Sequence, residues 1–178
     1  MRPIFAVHAG EYLAASKIEQ TFRNLQVWIP SRDTGVDLLV TDRHQKKVAS
    51  FQVKFSKDYQ GTSRRSTDVA EIASGGWWTF QRAKIATSPA DYWALVLYRF
   101  KPTRFDFVII PPRELLARYD RIRAPSKAIQ SYFCVTEAGQ CWEVRGLDSA
   151  AMSSISDGTY ARPERDFSKY LNKWPFER

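Results

Sequence analysis

Residues 48–56 read Val-Ala-Ser-Phe-Gln-Val-Lys-Phe-Ser, and this strict alternation constrains the fold more than anything else in the chain. A period of two places Ala49, Phe51, Val53 and Phe55 on one side of an extended strand and Ser50, Gln52, Lys54 and Ser56 on the other. The first face suits only a core. The second carries an amide and an ammonium on the same side, about 7 Å apart. Residues 35–41 alternate in the same way, with Val36, Leu38 and Val40 opposite Asp37, Leu39 and Thr41. The polar stretch 42–47 between the two has the composition of a hairpin loop. Pairing these strands sets Asp37 beside Gln52 and Lys54.

The remaining segments are read around that pair. Glu11, Ala15, Ile18, Phe22 and Leu25 fall within a narrow arc at 100° per residue, which predicts a helix over 10–25. Residues 57–74 are polar, with Arg64 and Arg65 near the middle, and suit a long loop. Gly75-Gly76 then opens an expected helix over 77–86, stopped by Ser88-Pro89. Apolar runs at 92–100 and 104–110 suggest a hairpin, and Pro111-Pro112 leads into a basic helix over 113–121. A second hairpin is expected from 131–136 and 140–145, and a last amphipathic helix over 163–174. No internal repeat, low-complexity tract or linker interrupts this order. It describes one domain over 1–178 of α/β (α+β) class.

A chain of 178 residues with 44% hydrophobic side chains can bury a sizeable core, which excludes global disorder. Its net charge is +8, spread as 9 basic and 6 acidic residues over 1–60 and 18 and 13 over 61–178. A folded basic domain favours an anionic partner, most often nucleic acid, although solubility alone also produces basic proteins. No apolar run approaches the roughly 20 residues of a membrane span. Residues 1–10 are too briefly apolar for a secretory segment, so a cytoplasmic protein is expected. Cys134 and Cys141 are too few for a disulfide framework and are expected to face one another as thiols across the second hairpin. His8 and His44 add too little to them for a four-ligand zinc site. Walker A loops, GxSxG elbows and dinucleotide glycine patterns do not occur.

Charged groups in the middle of apolar strands are expensive unless paired or bound to metal. Asp37, Gln52 and Lys54 form such a set, and Glu11, heading the apolar stripe of the first helix, adds a second carboxylate. Two carboxylates and an amide oxygen are hard ligands suited to Mg²⁺, and a nearby ammonium positions a nucleophile for phosphodiester hydrolysis. The plainer alternative is a cross-strand ion pair between Asp37 and Lys54, with Glu11 favouring its helix N-terminus.

Glu11 on the first helix, Asp37 within Gly35-Val36-Asp37-Leu38-Leu39-Val40, and Phe51-Gln52-Val53-Lys54-Phe55 together resemble the PD-(D/E)XK nuclease superfamily. The glutamine form of the motif is similar to the restriction-endonuclease-like, Mrr-like branch. The stretches Gly76-Trp77-Trp78, 92–98 and 107–111 also resemble small stand-alone members. The resemblance covers residues 10–110, an α-β-β-β-α-β core, with hairpin and helices over 111–178 as additions. It implies a mixed central sheet flanked by helices and a Mg²⁺ or Mn²⁺ cofactor. Asp37 is implied as main metal ligand, Gln52 as the ligand at the usual Glu/Asp position, Lys54 as catalytic lysine and Glu11 as accessory ligand. Val36 replaces the motif's proline, and Gln52 removes one negative charge from the cation site.

The function these features imply is a Mg²⁺-dependent DNA endonuclease in restriction, repair or defence, with RNA as the other substrate of matching chemistry. Cutting both strands with one site per chain calls for a homodimer. The alternatives are an inactive nuclease-fold module that binds DNA or a partner protein, and a basic nuclease toxin. Phosphate contacts are expected from Arg64, Arg65, Arg82, Lys84, Arg113 and Arg118; Arg121, Arg123 and Lys127 extend that basic stretch. A solvated helix face explains the stretch almost as well. Trp77, Trp78 and Phe80 belong to a core as a rule, and otherwise stack on unpaired bases.

Overall fold

Alternation at 38–42 and 47–56 produces the centre of a five-stranded sheet. The computed structural model describes residues 4–31, 34–56, 72–99 and 103–177, with side chains from Ala9 onward. Helix α1 (Ile4–Thr21) is followed by β1 (Leu25–Trp28), β2 (Leu38–Asp42) and β3 (Lys47–Ser56). Next come β4 (Ile72–Gln81), the short α2 (Arg82–Ala86), β5 (Tyr92–Arg99), β6 (Arg104–Ile110) and α3 (Pro112–Ile122). The chain continues through β7 (Ala128–Thr136), β8 (Cys141–Glu143) and α4 (Ser149–Ser156) to two 3₁₀ turns, Pro163–Arg165 and Ser168–Tyr170. The first sheet has the order β1-β2-β3-β5-β6, in which β3 and β5 run parallel and the other pairs antiparallel. The second is antiparallel, β4-β7-β8. The architecture is a mixed α+β fold whose central sheet is flanked by helices.

Strand β5 shows why two cores exist. Trp93 to Leu97 are all buried, as expected of a strand covered on both faces. Trp93, Leu95 and Leu97 pack toward Trp78, Phe80 and Phe133 of the second sheet and Leu115 and Tyr119 of α3. Ala94 and Val96 join Phe51 and Val53 of β3 beneath Ala14 and Ile18 of α1, closed by Trp174. Gly10 is where α1 comes closest to β3: a Cβ there would lie 2.6 Å from Cβ of Phe55.

The 42–47 hairpin forms as expected, with Asp42 Oδ1 accepting from the N–H groups of His44 and Lys46. The hairpins at 92–110 and across 137–139 also form. Three expectations are corrected. The helix over 10–25 ends at Thr21, and Leu25 opens β1 instead. The helix over 77–86 is strand as far as Gln81. Trp77, Thr79 and Gln81 are exposed while Trp78 and Phe80 are buried, a period of two that the adjacent tryptophans conceal. The glycine pair serves that strand, because the Trp78 ring folds back over Gly76, where a Cβ would sit 2.4 Å from it. The last helix over 163–174 resolves into the two 3₁₀ turns. Carbonyls of Pro163, Glu164 and Asp166 accept from the Arg118 guanidinium rather than from a continuing helix. Helix α4 was not expected; Asp148 caps it by accepting from Ala151 N–H at 2.9 Å.

The cysteines do not face one another. Cys134 is opposite Trp142 and Cys141 opposite Val135, so neighbouring ladder positions send the two thiols to opposite faces. Cys134 packs with Ile155 and Trp142, and Cys141 enters the core between the sheets. Burial pushes the Cys134 thiol up to about 12 and raises that of Cys141 well above its ordinary value. Iodoacetamide at pH 8 should therefore leave both unmodified in the native protein and label both in guanidinium, as read by mass spectrometry. Labelling of the native chain contradicts this burial.

Candidate functional site at the edge between the sheets

Asp37 stands immediately before β2, where its N–H donates to the carbonyl of Phe51 at 2.8 Å. That bond fixes the register and turns the carboxylate onto the polar face of β3. Oδ2 accepts from Gln52 Nε2 at 2.9 Å and from the backbone N–H of Val53 at 2.7 Å. The amide oxygen of Gln52 faces Gly35, whose Cβ position lies 4.0 Å from it. Gly35 has φ +84° and also abuts Pro89, so the close approach and the left-handed backbone both require glycine. Lys54 leaves the same face of β3, and its Nζ stands 5.7 Å from the centre of the Trp93 ring.

A cavity of ≈ 560 Å³ lies in the gap between the two sheets, and Asp37 meets its lining through the bond with Gln52. Gln52 and Lys54 line it on one side, residues 78–81 of β4 on another, and Lys84, Thr87, Ser88 and Trp93 close it. Trp93 is held in place by donating its indole N–H to Ser88 Oγ at 2.9 Å. Trp93 and Ser88 were missed as site residues. Their sequence signals, an apolar strand and a helix stop, carry no chemistry by themselves.

The structure thus brings Asp37 and Gln52 into direct contact and sets Lys54 beside Gln52 in the cavity lining. Glu11 is 8% exposed on α1, the helix that packs on the opposite face of the sheet, against Phe51 and Val53. Among the described residues, no three His, Cys, Asp or Glu side chains gather into a group able to hold a metal ion. The donors at hand are one carboxylate and one amide oxygen. As the Gln52 amide lies, its NH₂ faces Asp37 and its oxygen faces Gly35, so the two oxygens could share a cation only with that amide turned over.

The expected phosphate contacts divide. Lys84 is exposed at the cavity rim. Arg113 is exposed on α3. Arg82 forms a two-bond pair with Asp120, at 2.5 and 2.7 Å, which holds that carboxyl below the ordinary aspartate range. Arg118 is committed to three backbone carbonyls and stacks over Phe167 and Tyr170, so its role is to anchor the C-terminal turns. Arg64 and Arg65 lie outside the described residues. Compared with known proteins, the chain matches no family model, no curated protein and no solved structure.

Proposed function

We propose that this chain is a metal-dependent nuclease with a restriction-endonuclease-like core, acting on nucleic acid and in the first place on DNA. The observation that supports it is the contact of Asp37 with Gln52, which lines a cavity together with Lys54 and Lys84. Asp37 and, once its amide turns over, the oxygen of Gln52 would hold Mg²⁺ or Mn²⁺. When bound, the cation supplies neutralisation of phosphate charge and acidification of a water molecule. Val53 N–H and the Gln52 amide orient the Asp37 carboxylate through Oδ2. Lys54, steadied against Trp93, places a positive charge where a phosphate oxygen gains negative charge. Lys84 supplies a second cation at the rim, and the net charge of +8 draws the polyanion in.

Supercoiled plasmid incubated with the protein and Mg²⁺ or Mn²⁺ should become nicked and linear, and EDTA should stop the conversion. A second reading has its own support: Gln52 donating to Asp37 makes a hydrogen-bonded pair that is complete without a metal. On that reading the fold is an inactive module that binds DNA. Plasmid that is bound but never cut with any divalent metal favours the module and removes the nuclease.

A further inference from the structure

We propose that the cavity between the sheets takes a single unpaired nucleotide, its phosphate drawn by the two lysines of the lining and its base met by the backbone N–H and C=O of Thr79. That this nucleotide belongs to a strand being cut rests on the nuclease reading; that the cavity binds one does not. The lining is electrostatically one-sided. Lys54 and Lys84 are its charged side chains, and no carboxylate stands among the residues that line it. Lys84 is exposed at the rim, whereas its neighbour Arg82 is committed to Asp120. A recess lined by one sign of charge concentrates a ligand of the other sign. Trp78, Phe80 and Trp93 add apolar wall to the same space, so the ligand that fits is an anion with a flat apolar part.

The free edge of β4 supplies the second half of the argument. Among the described residues β4 pairs only with β7, which leaves its other edge without a strand. Arg82 N–H donates to the carbonyl of Lys127, on the β7 side, at 2.9 Å. Trp77 N–H turns the other way and donates to Ser56 Oγ, at the end of β3, at 2.9 Å. Antiparallel alternation gives Thr79 the orientation of Trp77, so its N–H and C=O point from β4 toward the first sheet. Thr79 and Gln81 are exposed, and both line the cavity that lies there. The run from Thr79 to Gln81 is about 10 Å long, against about 17–20 Å for a typical strand, so it is too short to seat another strand. It suits the edge of one base, where an acceptor stands beside a donor, as N7 beside N6–H₂ in adenine. A cavity of ≈ 560 Å³ is the size of a small-molecule site, which a nucleotide enters at a strand end or once turned out of its duplex.

The test is an NMR titration of the intact ¹⁵N-labelled chain in EDTA with the four deoxynucleoside 5′-monophosphates, deoxyribose 5-phosphate and inorganic phosphate. The tightest-binding nucleotide should shift the Thr79 amide signal and bind about tenfold more tightly than deoxyribose 5-phosphate, the equivalent of the lost base contacts. Lys84→Ala should weaken it by about 2- to 5-fold. Thr79→Pro removes an N–H that makes no ladder bond and should weaken binding by about 2- to 13-fold, while Thr79→Ala should bind as the wild type does. Nucleotides that bind no better than inorganic phosphate overturn the proposal, and so does binding that leaves the Thr79 amide unmoved. Because that signal is read in the wild type, a proline variant that fails to fold leaves the test intact. With the metal removed, binding is separated from cleavage. A protein that binds nucleotide and never cuts plasmid keeps the cavity and removes the nuclease; one that cuts plasmid and binds no nucleotide keeps the nuclease and removes this site.

Discussion

Replacing Asp37 with asparagine should lower plasmid cleavage by on the order of 10²–10³-fold in a protein that still folds. Asparagine keeps the size of the side chain, and its amide oxygen, in the place of Oδ2, can accept both bonds from Gln52 and Val53. What disappears is the formal charge that a cation needs, and the Gln52 amide beside it is neutral. Lys54→Met should fall by a similar factor, because the methionine stem preserves packing on Trp93 and removes only the ammonium. Rates of nicking and thermal melting must be followed together. Slow cleavage with wild-type melting assigns both residues to chemistry. Unchanged cleavage by either variant removes that residue from the mechanism.

The largest loss of stability is expected at Glu143, far from the cavity. Its side chain has no exposed surface, yet its two oxygens accept from Arg123 at 2.5 Å, Arg165 at 2.8 Å and Ser131 at 3.3 Å. Burial pushes the carboxyl above the ordinary glutamate range, against the pull of both arginines. Arg165 also donates to the carbonyls of Glu143 and Arg145, so one acidic side chain joins β8, the end of α3 and the first 3₁₀ turn. Glu143→Ala leaves two guanidinium groups without their counter-charge and should cost about 3–5 kcal/mol. In a chain of this length that corresponds to a fall of about 6–20 °C in Tm. Glu143→Gln, which keeps the acceptor oxygen, should lose less. An alanine variant that melts with the wild type contradicts the network.

The centre of the fold was legible because apolar side chains recur at every second position of β3 and recur likewise at Leu38 and Val40 of β2, and such strands declare their period and their pairing. The same alternation sets Asp37 against Gln52, the contact the structure contains. Strand β4 was not legible, since Trp77 and Trp78 are equally aromatic and only packing tells the core ring from the solvent ring. The C-terminal turns misled for a different reason. The apolar positions Phe167, Leu171 and Trp174 mimic a helical stripe, but Arg118 takes the carbonyls that a helix would use. The cavity was hidden because its walls come from separate segments: Gln52 and Lys54, β4, and residues 84–93.

Whether a cation sits between Asp37 and residue 52 is measured directly by the melting of Gln52→Glu. In EDTA the new carboxylate faces Asp37 in place of an amide donor, so two like charges meet and the variant should melt below the wild type. Millimolar Mg²⁺ or Mn²⁺ should then raise the variant's Tm by more than the wild type's, because a bridging cation binds the folded state alone and stabilises it by about 2.7 kcal/mol at a hundred times its Kd. Melting curves of both proteins that do not move with metal would contradict a cation site at Asp37.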